Sequence, residues 1–201
     1  MPCHWHTLCT ILCAMTETVS LSNQFLIAMP ALADPNFFHT VTFIFEHNDN
    51  GALGIIINRP LDVTLADVLQ HMSMEAANPA LATMPVFFGG PVQQERGFVI
   101  HQPIGTWEST LKISESTAVT TSQDVLEAMS HGTGPEKMFI ALGYAGWGPG
   151  QLEKELAENA WLSGPADPAI LFDTPVEKRW EAAAALLKID VKLLTAEAGH
   201  A

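Results

Sequence analysis

Side chains able to exchange protons or hold a ligand fall in a few short stretches of this sequence. Glu46-His47-Asn48 sets a carboxylate, an imidazole and an amide side by side, and these are general acid–base types. Asn58 follows in the next apolar run. Thr120-Thr121-Ser122 with Asp124 forms a hydroxyl cluster at an expected helix start, where helix capping accounts for it equally well. Gly143-Tyr144-Ala145-Gly146-Trp147-Gly148-Pro149-Gly150 is a glycine-rich turn leading into a helix, whose free amides suit an anion such as phosphate. That turn lacks both the Lys-Ser/Thr of a phosphate-binding loop and the spacing of a dinucleotide site, so close strand–helix packing is the stronger reading. The candidate pocket is therefore Glu46, His47, Asn48, Asn58, Thr121, Ser122, Tyr144 and Trp147. No nucleophile elbow, no zinc-protease motif and no cysteine after Cys13 is present, so no catalytic residue and no cofactor is assigned. Cys3, His4, His6, Cys9 and Cys13 match no zinc spacing, and no metal site is assigned.

The elements that must position these groups start with a hairpin. Residues 41–48 and 53–58 read as strands joined at Asn50-Gly51, a pair that tolerates the positive φ of a type I′ turn. Both runs are apolar at nearly every position, which places the hairpin centrally in a sheet covered on both faces. That turn sets Glu46 opposite Ile55 and His47 opposite Gly54. Neighbouring strand residues face opposite ways, so Glu46 and His47 cannot address one atom unless a bulge intervenes, and Asn58 lies at the other end of the hairpin. Residues 61–72 carry a helical apolar stripe with Thr64 as N-cap and Asp67 three residues on. Short strands are expected at 86–92, 97–101, 110–114, 138–148 and 169–172. Thr121 or Ser122 caps a helix running towards Gly132. A helix over 150–162 turns Leu152, Leu156 and Ala160 inward and leaves Glu153, Glu155 and Glu158 solvated. Thr174-Pro175-Val176-Glu177 starts a last helix, with Thr as N-cap, running to about 187. The apolar stretch after Met15 is a strand or a turn of helix. Interleaved helices and short strands predict a mixed α/β fold, with helices packed around a partly antiparallel sheet.

At 201 residues, 48% hydrophobic and 15% charged, the chain is within the range of one globular domain, assigned to 15–201. Residues 1–14 read as a disordered extension, or as a start placed too early with Met15 as the true one. Nine Lys and Arg against 22 Asp and Glu give a formal net charge of −13. This argues against direct binding of nucleic-acid phosphates and of anionic membranes. No run reaches the roughly 18 apolar residues of a membrane helix, and the charge-free opening stretch lacks a signal peptide's basic region. Cysteines confined to the first 13 residues suit a reducing, cytoplasmic setting.

QFLIAMPALADPNF, FEHNDNGALGIIINRP, FFGGPV, RGFVIH, VTTSQDVLEAM, ALGYAGWGPGQLEKELAENAWL and ILFDTPVEKRW occur in this order from about Leu21 to the end of the chain. In these motifs the sequence resembles the YqgE/AlgH family of bacterial proteins. The resemblance implies an α/β fold with a barrel-like mixed sheet and flanking helices, a cytosolic setting, and a role, labelled transcriptional regulation, exercised through a protein or small-molecule partner. The alternative is an enzyme or ligand-binding module with a cleft at the strand ends. Many relatives carry cysteine where this chain has Phe45, so any thiol chemistry at that position is missing here.

Overall fold

The computed structural model describes residues 20–189. The expectations for residues 1–14, their cysteines and the final residues lie outside that range. Ten strands build one strongly curled, barrel-like sheet, with helices packed around it. In chain order the strands are β1 (Gln24–Ala28), β2 (Val41–Asn48), β3 (Gly51–Ile56), β4 (Pro60–Thr64), β5 (Pro85–Phe88), β6 (Val92–Gln102), β7 (Thr110–Lys112), β8 (Ala118–Thr120), β9 (Lys137–Trp147) and β10 (Trp161–Pro165). The helices are α1 (Leu65–His71), α2 (Pro79–Ala82), α3 (Asp124–Ser130), α4 (Gln151–Ala157) and α5 (Arg179–Leu186). The main path is β10-β1-β2-β3-β9-β6-β8-β7, and β5 joins it by parallel pairing with β9. Every other pairing is antiparallel, so the sheet is mixed as expected. The β2–β3 hairpin is central, flanked by β1 and β9.

Doubly covered strands explain the continuous apolar runs. Phe43, Phe45, Ile55, Phe87, Phe98 and Phe139 face a core closed by Ile170, Leu171 and Ala183. Ile44, Ala52, Trp147 and Trp161 face the other way, onto Leu152 of α4. Leu65 and Leu69 of α1 meet Val125 and Met129 of α3 over Val99 and Ile140. Arg179, only 6% exposed, sits over the stacked rings of Phe87 and Phe139 at 5.3 and 5.2 Å. It donates to the carbonyls of Ile57 and Thr174. Burial pushes its guanidinium down to about 10, still charged at neutral pH.

Several elements differ from the sequence expectation. The hairpin pairs Glu46 with Leu53, His47 with Ala52 and Asn48 with Gly51, so Asp49-Asn50 forms the loop. Gly51, at φ +122°, opens β3, and a Cβ there would stand 2.0 Å from the Trp147 carbonyl oxygen. The positive φ and the close approach of β9 both demand this glycine. Residues 60–64 are a strand before the helix. Thr64 is nevertheless the N-cap, reciprocally bonded with Asp67. The strand expected at 86–92 ends at Phe88, and the one expected at 97–101 is extended back to Val92. The helix expected over 150–162 stops at Ala157. Asn159 takes φ +56°, and the amides of Asn159 and Ala160 return to the carbonyls of Leu156 and Glu155, a left-handed helix stop. Trp161 can then begin β10. The run 169–172 is a wide helical turn, not a strand. Its amide at Ala169 is held by the Asp167 carboxylate at 2.8 Å, and four apolar residues do not separate the two states by periodicity. Thr174 caps no helix. Its hydroxyl turns back to the Ala169 carbonyl, a 3-10 turn follows at Val176–Lys178, and α5 starts at Arg179.

Candidate functional site

The chemistry of the hairpin turns on one irregularity in β2. Its register with β3 shifts between Ile44 and Glu46. The bulge puts Phe45 and Glu46 on the same side, where both line one cavity of about 220 Å³. Asn48 fixes the acid: its amide nitrogen donates to Glu46 Oε1 at 2.9 Å, while its Oδ1 accepts the Asn50 amide at 2.8 Å.

A second irregularity supplies the opposite charge. β6 pairs Val92 with Tyr144 and Gly97 with Leu142, so residues 93–96 bow out of the ladder, with Gln93 at φ +47°. Arg96 projects from this bow to the cavity wall, its guanidinium 5.3 Å from the Phe98 ring. The strand crossing beside it is tight. Added Cβ atoms on Gly90 and Gly143 would lie 2.2 Å from the Tyr144 backbone and 2.5 Å from the Gly90 carbonyl oxygen. Glycine at both positions lets the chain cross β9 where Tyr144 enters the cavity.

Tyr144, Thr121 and Ser109 complete the polar lining; Leu53, Phe98, Val119 and Leu111 supply the apolar part. No hydrogen bond to another described residue engages the side-chain hydroxyls of Tyr144, Thr121 or Ser109, and Arg96 and Glu46 form no ion pair among the described residues. The cavity therefore presents a carboxylate, a guanidinium and three hydroxyls over an aromatic and aliphatic floor. Such a set binds through hydrogen bonds and charge. Among the described residues no hydrogen bond joins any of these hydroxyls to Glu46 or to an imidazole, the contact that would activate a nucleophile.

The other candidates lie elsewhere. His47 points to the opposite face, its side chain 4% exposed. The Leu21 amide donates to its Nδ1 at 3.0 Å, so the ring proton resides on Nε2 and is donated to Glu153 Oε1 at 2.8 Å. Glu153 is held below the usual carboxylate range, first by the backbone amide at the start of α4 and then by His47. Trp147 and Trp161 both donate their indole N–H to Glu155 Oε2, at 2.9 and 2.8 Å, and Gln151 donates to Oε1. The acidic face of α4 is thus a clamp on buried groups rather than a solvated surface. Only Glu158, loosely paired with Lys154 at 3.8 Å, fits the solvated description. Asn58 is structural: it accepts the Val41 amide and donates to the His39 carbonyl. Ser122 caps no helix. It accepts the Ser109 amide and donates to Asp124, which in turn receives the Glu108 amide. It lines an adjoining apolar cavity with Thr120 and Thr121. The glycine-rich segment is mostly strand. Its turn is only Gly148–Gly150, and Gln151 Oε1 accepts the Gly148 amide at 3.0 Å.

The structure therefore unites Glu46, Thr121 and Tyr144 of the expected pocket, with Asn48 as support. It separates His47, Asn58 and Ser122, and turns the Trp147 indole into the α4 clamp. Arg96 and Ser109 were missed. Arg96 is one of nine cationic residues in an acidic chain, a weak signal, and nothing local announced that β6 would bow there.

The AlgH-like family model matches residues 25–192. A UPF0301 protein of Nitrosococcus oceani is 60% identical over 179 residues, covering 89% of this chain and 96% of that protein. A UPF0301 protein of Pseudomonas aeruginosa is 56% identical over 182 residues, covering 90% and 96%. Among solved structures, the solution structure of the AlgH protein from Pseudomonas aeruginosa aligns with a TM-score of 0.75 at 55% identity, over 92% of this chain and 98% of that one. A crystal structure from Corynebacterium diphtheriae shares the fold at a TM-score of 0.67 and 19% identity, over 86% and 90% of the two chains.

Proposed function

The chain belongs to the AlgH-like family, and from that premise we propose that it is a regulatory protein whose action depends on binding a small molecule in the Glu46–Arg96–Tyr144 cavity. The observation that carries this reading is the convergence of unpaired charge and unengaged hydroxyls in one half-open space. Buried polar groups are usually paired, as they are on the α4 side, whereas the exposed and half-buried ones of this cavity meet solvent. Groups left free in a concave site are free for a ligand. The second part of the proposal is a protein partner that reads the bound state. A net charge of −13 supports a partner other than nucleic acid. The setting proposed is the cytoplasm; among the described residues no helix is long and apolar enough to cross a membrane.

The test is a thermal-shift screen of metabolites against the wild-type chain and a Glu46→Gln, Tyr144→Phe double variant. A ligand of the cavity raises the wild-type midpoint by mass action and loses most of that shift in the variant. Compounds that shift both proteins equally overturn the assignment, as does a salt-dependent DNA mobility shift at low micromolar protein without any ligand.

A further inference from the structure

The cavity's two charges define the class of its ligand, an inference that rests on the binding reading above. Glu46 comes from the β2 bulge and Arg96 from the β6 bow, and the two stand on the wall of the same 220 Å³ space without pairing. Each has its own anchor. Asn48 ties one carboxylate oxygen of Glu46 at 2.9 Å, leaving the other for a donor. The Phe98 ring occupies a face of the Arg96 guanidinium, and Nη1 makes one long bond to Gln93 Oε1 at 3.5 Å; the remaining N–H groups are open to an oxygen acid, the fork geometry that suits a carboxylate. Between them Thr121 and Tyr144 can each donate or accept, and Leu53, Phe98 and Leu111 form an apolar floor. Leu111 is 44% exposed, a large hydrophobic residue left open at the rim.

A lone anion bound to Arg96 would also face Glu46 and the field of a chain carrying −13. A lone cation on Glu46 would face Arg96. A molecule carrying both charges a few bonds apart satisfies both walls and is neutral at long range. The volume is below the roughly 300–1,000 Å³ of sites for drug-sized ligands, which limits the molecule to a single small unit. We propose that this cavity binds a zwitterionic α-amino acid with an aliphatic side chain: ammonium on Glu46, carboxylate on Arg96, side chain on the apolar floor.

The probe is L-leucine, titrated calorimetrically into the full chain beside leucinamide, which lacks the carboxylate, and N-acetyl-leucine, which lacks the ammonium. Loss of one charge-assisted contact weakens binding about ten- to hundredfold, so both derivatives bind that much more weakly than leucine. Arg96→Gln weakens leucine to the level of leucinamide and removes the discrimination between them. Glu46→Gln does the same for N-acetyl-leucine. Arg96 is exposed and Glu46 half-buried, and unchanged thermal midpoints verify that both variants fold. Equal binding of all three compounds overturns the zwitterion. So does failure of every amino acid while another metabolite from the screen binds and loses its shift in the Glu46→Gln, Tyr144→Phe variant; that outcome leaves the binding function standing. No cavity-dependent shift from any compound overturns both.

Discussion

On the α4 side of the β2–β3 hairpin, one carboxylate oxygen of Glu155 receives two indole N–H groups, and His47 bridges the Leu21 amide to Glu153. On the other side, the hydroxyls of Tyr144 and Thr121 reach no partner among the described residues, and Arg96 forms an ion pair with none of their carboxylates. The two faces use similar residue types. They differ in closure: α4 covers one face and brings its own acceptors, while the curl of the sheet leaves the other concave and open. Polar groups on the closed face stabilise the fold, because leaving any of them unpaired in the buried state is costly. Those on the open face exchange with water at little cost and are available to a ligand.

The largest effect expected from breaking this contrast comes from Glu155→Leu. It strands the N–H groups of Trp147 and Trp161, which are 6% and 3% exposed. At about 1–3 kcal/mol for each of the two unsatisfied donors, the variant loses about 2–6 kcal/mol, read from the urea midpoint at an unchanged slope. His47→Leu follows, at about 1–2 kcal/mol, since it leaves one backbone amide without its acceptor and Glu153 without its donor. An undiminished midpoint in either variant means that the closed face is not a clamp.

Acid sensitivity belongs to the same face. The folded state holds the Glu153 carboxyl below its ordinary range. Its stabilisation is complete above the unfolded value of about 4.3 and is lost as pH falls through the lower folded one. The thermal midpoint of the wild type therefore falls more steeply below about pH 5 than that of Glu153→Gln. Parallel curves would remove Glu153 from the account. The smallest effect on stability is expected on the open face. Tyr144→Phe and Thr121→Val each change it by no more than about 0.5 kcal/mol, although both reduce the thermal shift given by a cavity ligand. A large loss from either would mean that these hydroxyls are structural after all.

The central hairpin, the Thr64 capping box and the inward Leu152 of α4 were legible because each is written in local terms: apolar runs, a Thr-Asp spacing, a helical stripe. The apolar stripe in the sequence continues the helix to 162, and it is the left-handed Asn159 that stops it at Ala157. The run 169–172 was misread because four apolar residues suit a strand and a helical turn alike. Strand alternation sets Glu46 and His47 on opposite faces, Glu46 in the cavity and His47 against α4.

Sequence alone determined the family motifs, the mixed α/β class, the acidic charge and the residue types from which a pocket could be drawn. Only the tertiary structure decided which of them meet. Two interruptions of the ladder, at Ile44–Glu46 and at Val92–Gly97, rotate Glu46 and Arg96 into one cavity. Packing of α4 withdraws His47 and Trp147 from it. Strand periodicity assigns a side chain to a face only while the register is unbroken. The β6 bow is set against β9 some fifty residues on and the β2 bulge against β3 within about ten, and neither break in register leaves a periodic pattern to read.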